Sequence, residues 1–137
     1  MKRTLRIGTN GQALVLGPLE QRVMAVLWAR QADWLAVSDV LAAMRGRPLS
    51  YSAVKTVLGN LVDKGHVRKR SRGRANEFTA AQSRASFEQT MMGDVVAPLL
   101  RQYRNPLLAH IVDGLETESQ IAELERLLAQ KRAQRDR

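Results

Sequence analysis

LSYSAVKTVLGNLVDKG, residues Leu49 to Gly65, carries a helix start signal, a helix stop signal and a helical pattern between them. Ser50 can accept a hydrogen bond from a first-turn backbone N–H, and Gly65 suits the left-handed position just past a helix end. Val54, Val57, Leu58, Leu61 and Val62 recur at helical spacing and form one apolar stripe. Ser52, Lys55, Thr56 and Asn60 fall largely away from it. One face is therefore expected to pack on a core while the other offers hydroxyls, an amide and a cation outward. That set is suited to hydrogen-bonding base edges, as a recognition helix does.

Working outward, the residues before this stretch supply a partner helix. Pro18 fits a first helical position and Glu20 favours the first turn, so a helix is expected from there to about Arg30. Leu19, Val23, Val26 and Leu27 give it an apolar face that Met24 and Trp28 widen. Trp28 and Trp34 read as core anchors, because aromatic residues are only 4% of the chain and single-strand binders depend on aromatic stacking. Residues 34–37 read as a short strand or extended connector. Ser38 then reads as the cap of a second helix with Val40, Leu41 and Met44 inward, ended by Gly46 and Pro48. The tight turn Arg45-Gly-Arg-Pro-Leu49 joins it to the opening stretch, which makes a helix-turn-helix. After Gly65 the pattern becomes extended. Residues 66–71 and 75–79 flank Arg72-Gly73-Arg74, with Val67 and Phe78 inward, and read as a hairpin with a basic tip. Helix, strand, helix, helix, strand, strand is the order of a winged helix. The wing would bring Arg68, Lys69, Arg70, Arg72 and Arg74 to flanking phosphates.

The charge distribution agrees with this division. The 137-residue chain has a formal net charge of +9. Residues 1–80 hold fourteen Lys or Arg against five Asp or Glu, which leaves +9, and residues 81–137 hold eight of each. A basic module beside a neutral one suits a polyanion-binding unit joined to an assembly unit. With 45% hydrophobic residues the chain is globular, and its length suits one domain plus a helical accessory. There is no cysteine, so disulfides and thiolate metal sites are excluded, and two distant histidines show no ligand spacing. No cofactor or metal is expected. Lys2, Arg3 and Arg6 are not followed by a signal-peptide core, and no run is long enough to span a membrane, so a cytoplasmic protein is expected. His66 reads as an exposed strand residue and His110 as a helix-surface or interface residue. Neither has a visible nucleophile or carboxylate partner, which argues against an enzyme.

The two ends complete the reading. Residues 1–15 alternate weakly around Asn10-Gly11 and would form an arm or a short hairpin. From 81 to 137 the pattern is helical again. Phe87, Met91, Met92, Val95, Val96, Leu99, Leu100 and Tyr103 make a broad stripe interrupted near Gly93 and Pro98, and Leu107, Leu108, Ile111 and Val112 continue it. Thr117-Glu-Ser-Gln120 is a capping box for a last helix carrying Ile121, Leu124, Leu127 and Leu128. These elements hold more apolar surface than they can bury among themselves. A helical interface between two copies, built on Phe87, Met91, Val95, Leu99, Leu108, Ile111, Leu124 and Leu128, is the expected outlet.

The runs LGPLEQRVMAVLW, VSDVLAAM and LSYSAVKTVLGNLVDKGHVRKRSRGRANEFTA resemble the BlaI/MecI/CopY family of penicillinase-type transcriptional repressors over most of Leu16 to Ala80. The resemblance implies a mostly α fold with a small β-wing: a winged helix-turn-helix domain over 16–80 and a helical dimerisation domain over 81–137. It implies a homodimer that occupies an inverted-repeat operator on double-stranded DNA and blocks transcription. Carried onto this chain, Tyr51, Ser52, Lys55, Thr56 and Asn60 become the base and phosphate contacts. A sensor or protease that relieves repression is a further implied partner, since β-lactam-responsive members are cut at an Asn-Phe bond. The nearest counterpart here is His110-Ile111. Gly17 stands where the family often has a Thr or Ser cap, and the cysteine-rich copper site of one branch is absent. From another class, a winged helix that docks an acidic protein is the competing reading, and the polar outward face of residues 51–60 distinguishes the two.

Overall fold

The computed structural model describes residues 16–137. The arm or hairpin expected at residues 1–15 lies outside the described residues. The elements in order are α1 (Pro18–Ala29), β1 (Leu35–Ala36), α2 (Val37–Ala43), α3 (Tyr51–Asp63), β2 (Val67–Arg72), β3 (Ala75–Ala80), α4 (Arg84–Asp113) and α5 (Glu118–Arg135). This is a winged helix followed by C-terminal helices.

Local chemistry accounts for the helix boundaries. Pro18 opens α1, and the Glu20 carboxylate accepts the Gly17 N–H at 3.0 Å, while Gly17 supplies no side-chain cap of its own. α2 begins two residues earlier than a Ser38 cap predicts. Ala36 is its N-cap, and the Asp39 carboxylate, not a Ser38 hydroxyl, takes the free Ala36 N–H at 3.0 Å. Ser50 caps α3 as expected, its Oγ accepting the Ala53 N–H at 3.1 Å. The end of α3 is a Schellman motif: Gly65, at φ +82°, donates to the Val62 carbonyl at 3.0 Å, and His66 donates to the Leu61 carbonyl at 2.9 Å.

That motif corrects the reading of His66 as exposed. The residue two past the helix end packs back on the last turn, and His66 is buried with its ring edge-on to Phe87 at 5.0 Å. The strands form one antiparallel sheet in the order β1-β3-β2, with Leu35 opposite Phe78, Lys69 opposite Phe78 on its other side, and Val67 opposite Ala80. Leu35, Phe78 and Val67 mark its inner face. The core joins them to Val23, Met24 and Leu27 of α1, Val40 of α2, and Val54, Val57, Leu58 and Leu61 of α3. Val54, Leu58 and Leu61 are wholly buried, each contributing about 1.5–3 kcal/mol relative to exposure.

Two compact units divide at Val95/Val96, beyond the boundary expected after Ala80. The reason is Phe87, which is buried in the winged-helix core with its ring 5.3 Å from that of Trp28, while Met91 packs against the same core. Phe87 therefore belongs to the core of a single chain and not to an interface between copies, which corrects its place in the expected dimer stripe. In the second unit, Thr117 and Gln120 form the expected capping box. The break in α4 falls at Tyr103, which has φ −135° and ψ 41°, and not at Gly93 or Pro98. Pro106 supplies no N–H for the Gln102 carbonyl and its ring crowds that carbonyl, so the chain departs from helical geometry one residue later.

Candidate nucleic-acid interface

α3 is two-sided. Its core-facing residues are buried, and Tyr51, Ser52, Lys55, Thr56, Gly59 and Asn60 are all exposed. From Ser52 to Asn60 these lie three and four residues apart and so share one face. Every reading residue named from the sequence on this helix is therefore on the outward surface. Gly59 joins them: a methyl group placed there would meet no atom within 4 Å, so the middle of the face is bare backbone.

Two ties hold α3 at its ends. Lys64 Nζ reaches both carboxylate oxygens of Glu20 at 2.8 Å, linking the end of α3 to the start of α1. The cation also sits at the negative end of the helix dipole. At the other end, Arg22 of α1 donates to the carbonyls of Arg45 at 3.0 Å and Arg47 at 2.5 Å, clamping the turn that precedes α3. Gly46 between them has φ +96°, a conformation natural only to glycine. The sequence marked the turn but gave no sign that Arg22 secures it.

Beside the first turn of α3 the wing forms a cleft of about 200 Å³, lined by Ser38, Tyr51, Lys55, Arg74, Asn76 and Phe78 among others. It brings together cations read from two separate sequence stretches, and adds two polar residues, Ser38 and Asn76, that sequence reasoning missed. Nothing in the linear pattern announces them, because only the folding of β3 beside α2 and α3 makes them neighbours.

The five wing cations are exposed, yet they are not equivalent. Strand alternation puts Arg68, Arg70 and Arg72 on the outer face of β2 and Lys69 on the other. Arg70 is held by Glu77, and its guanidinium lies 4.5 Å from the Trp34 ring centroid, with that of Arg68 at 5.7 Å. Trp34 is thus a half-buried platform for arginines and not the core anchor expected. Among the described residues Lys69, Arg72 and Arg74 make no side-chain hydrogen bond or ion pair.

The predicted interface residues of the second unit are distributed differently. No residue from 96 to 137 is buried; Leu108, Ile111 and Leu128 are 50%, 43% and 48% exposed, and Leu99 and Leu124 are half-buried. Val95, the last residue of the first unit, is half-buried. His110 and Ile111 lie within helical α4, with His110 Nδ1 3.0 Å from the Pro106 carbonyl. Among the described residues no helix is long and apolar enough to cross a membrane, and no group of residues could hold a metal ion.

The chain is similar to MepR, a transcription regulator of the multidrug efflux pump MepA of Staphylococcus aureus, at 14% identity over 91% of this chain and 89% of that one, with a TM-score of 0.47. It is also similar to Rv0081 of M. tuberculosis, at 21% identity over 82% of this chain and 97% of that one, with a TM-score of 0.44. No curated protein sequence matches it. The family model described as penicillinase repressor matches residues 16–130, from the first described residue well into α5. The chain belongs to the penicillinase repressor family and is a DNA-binding repressor.

Proposed function

We propose that the chain acts as a homodimer on an inverted-repeat operator, each protomer laying α3 in the major groove and its wing along the flanking backbone. The observation that carries this reading is the two-sided α3, whose exposed face is hydroxyl, amide and Lys while its apolar face is fully engaged. Such a face offers donors and acceptors to base edges. The cleft of Ser38, Tyr51, Lys55, Arg74 and Asn76 would seat a backbone phosphate, with the unpaired wing cations on its neighbours. Dimerisation is supported by a second unit rich in Leu and Ile in which nothing is buried. Leu99, Leu108, Ile111, Leu124 and Leu128 would meet their copies there, fixing half-sites about 10 bp or a multiple apart.

Selection from a random duplex pool followed by footprinting tests this directly. A pseudo-palindromic site with regular half-site spacing is expected. Lys55→Ala or Asn60→Ala should then relax preference at particular base pairs by about 1–3 kcal/mol each. Equal loss on operator and random DNA would refute base reading by α3. Leu124→Glu with Leu128→Glu should give monomers with weakened operator binding, and a monomeric wild type in sizing experiments would refute the dimer. Relief of repression by cleavage at His110-Ile111 would first require the last turns of α4 to open, since proteases bind extended substrate.

A further inference from the structure

Arg70 occupies a built seat on the outer face of the wing. Its Nε donates to Glu77 Oε1 at 2.9 Å, its Nη2 lies 2.9 Å from the same oxygen as an ion pair, its guanidinium stacks over Trp34 at 4.5 Å, and the Glu77 side chain is only 15% exposed. The seat has a defined place in the sheet. Glu77 pairs with Arg70 on one side and with Ala36 on the other, and Ala36 is the last residue of β1. Past that register the wing continues as two strands only, through Ser71 opposite Asn76 and Arg72 opposite Ala75. A two-stranded ribbon is marginal by itself, so the residues at its root decide how its tip is held.

We infer that Trp34 and Glu77 make Arg70, with Arg68 beside it, a positioning residue that sets the pitch of the wing, leaving phosphate neutralisation by the hairpin to Lys69, Arg72 and Arg74. The inference rests on the DNA-binding reading and deepens it. A cation that neutralises a phosphate displaces a condensed counterion. Arg70 would have to leave both a carboxylate and a ring to do so, whereas the other three cations have no such partner to leave. The five wing cations of the sequence are thereby divided into a structural pair and a contacting trio.

The division has a readout that a change in stability does not move. Binding to a random-sequence duplex is measured by anisotropy at several salt concentrations. Arg72→Gln and Arg74→Gln should each lower the slope of log affinity against log salt by about 0.9, so that each variant's affinity falls about 3.5-fold less between 50 and 200 mM salt. Arg70→Gln should weaken binding by a factor independent of salt, with the wild-type slope. A second measurement follows Trp34 emission in a Trp28→Phe background. Arg70→Gln should red-shift it, and saturating duplex should leave the Arg70-containing protein unshifted. A slope loss in Arg70→Gln equal to that in Arg72→Gln, or a DNA-induced shift matching that of Arg70→Gln, would overturn the division. Failure of the unsubstituted protein to bind duplex at low salt would overturn the DNA-binding reading beneath it, while the emission of Arg70→Gln still reports on the seat separately.

Discussion

Gly59 separates the stability of α3 from its use. It lies inside the helix, is exposed, and has open space where a side chain would stand. Gly59→Ala therefore creates no clash within the protein and removes the backbone entropy that glycine loses in a helix. The expected gain is about 0.5–1 kcal/mol, which for a unit of this size raises Tm by roughly 2–8 °C. Gly59→Gln should keep part of that gain, since Gln is also a good helix former, while adding bulk without charge at the centre of the outward face. If α3 lies against base edges, the added side chain holds it off the groove floor. Losing even one specific contact costs about 1–3 kcal/mol, or roughly 5- to 150-fold in operator affinity. Melting followed by circular dichroism and operator binding by anisotropy on the same samples give both quantities. A Gly59→Gln protein that is as stable as the wild type or more so, and that binds operator unchanged, would refute the placement of this face against DNA.

Three other outcomes follow from the packing. Phe87→Ala should cost about 3–5 kcal/mol of unfolding free energy in the winged-helix unit, because it empties a buried site against Trp28 and His66, whereas Leu128→Ala should leave that unit's melting unchanged. Gly46→Ala should destabilise by about 1–2 kcal/mol through its positive φ, since the Arg22 guanidinium is no closer than ordinary contact to the new methyl; denaturant unfolding measures it. On α5 the hydrogen bond from Arg126 holds the Glu123 carboxyl below its ordinary value, with the Arg126 charge acting in the same sense. The stabilisation from this pair should be complete above the ordinary carboxylate range and fade as pH falls through the lowered value, and Arg126→Gln should return the Glu123 titration, followed by carboxyl NMR, toward normal.

The helix α3 was legible because its evidence is local. Cap, stripe and terminal glycine all lie within residues 49–65, and each acts on backbone groups a few positions away. The wing was legible for the same reason, as two extended runs around an Arg-Gly-Arg tip. The readings that changed depended on distant partners. His66 looked exposed until the Schellman turn folded it onto Leu61 and Phe87.

By itself the sequence determined the order of elements, the two faces of α3, the basic and neutral halves, and the family, since all of these are written in spacing, charge and motif. Only the tertiary structure decided what each shared residue type does. It placed Phe87 in the core of one chain, made Trp34 a platform, divided five similar cations into held and unheld ones, and gathered Ser38, Tyr51, Lys55, Arg74 and Asn76 around one cleft. The physical reason is that a hydrogen bond, a stacked ring or a buried contact needs a partner within a few ångströms, and for these residues the partner lies far away along the chain.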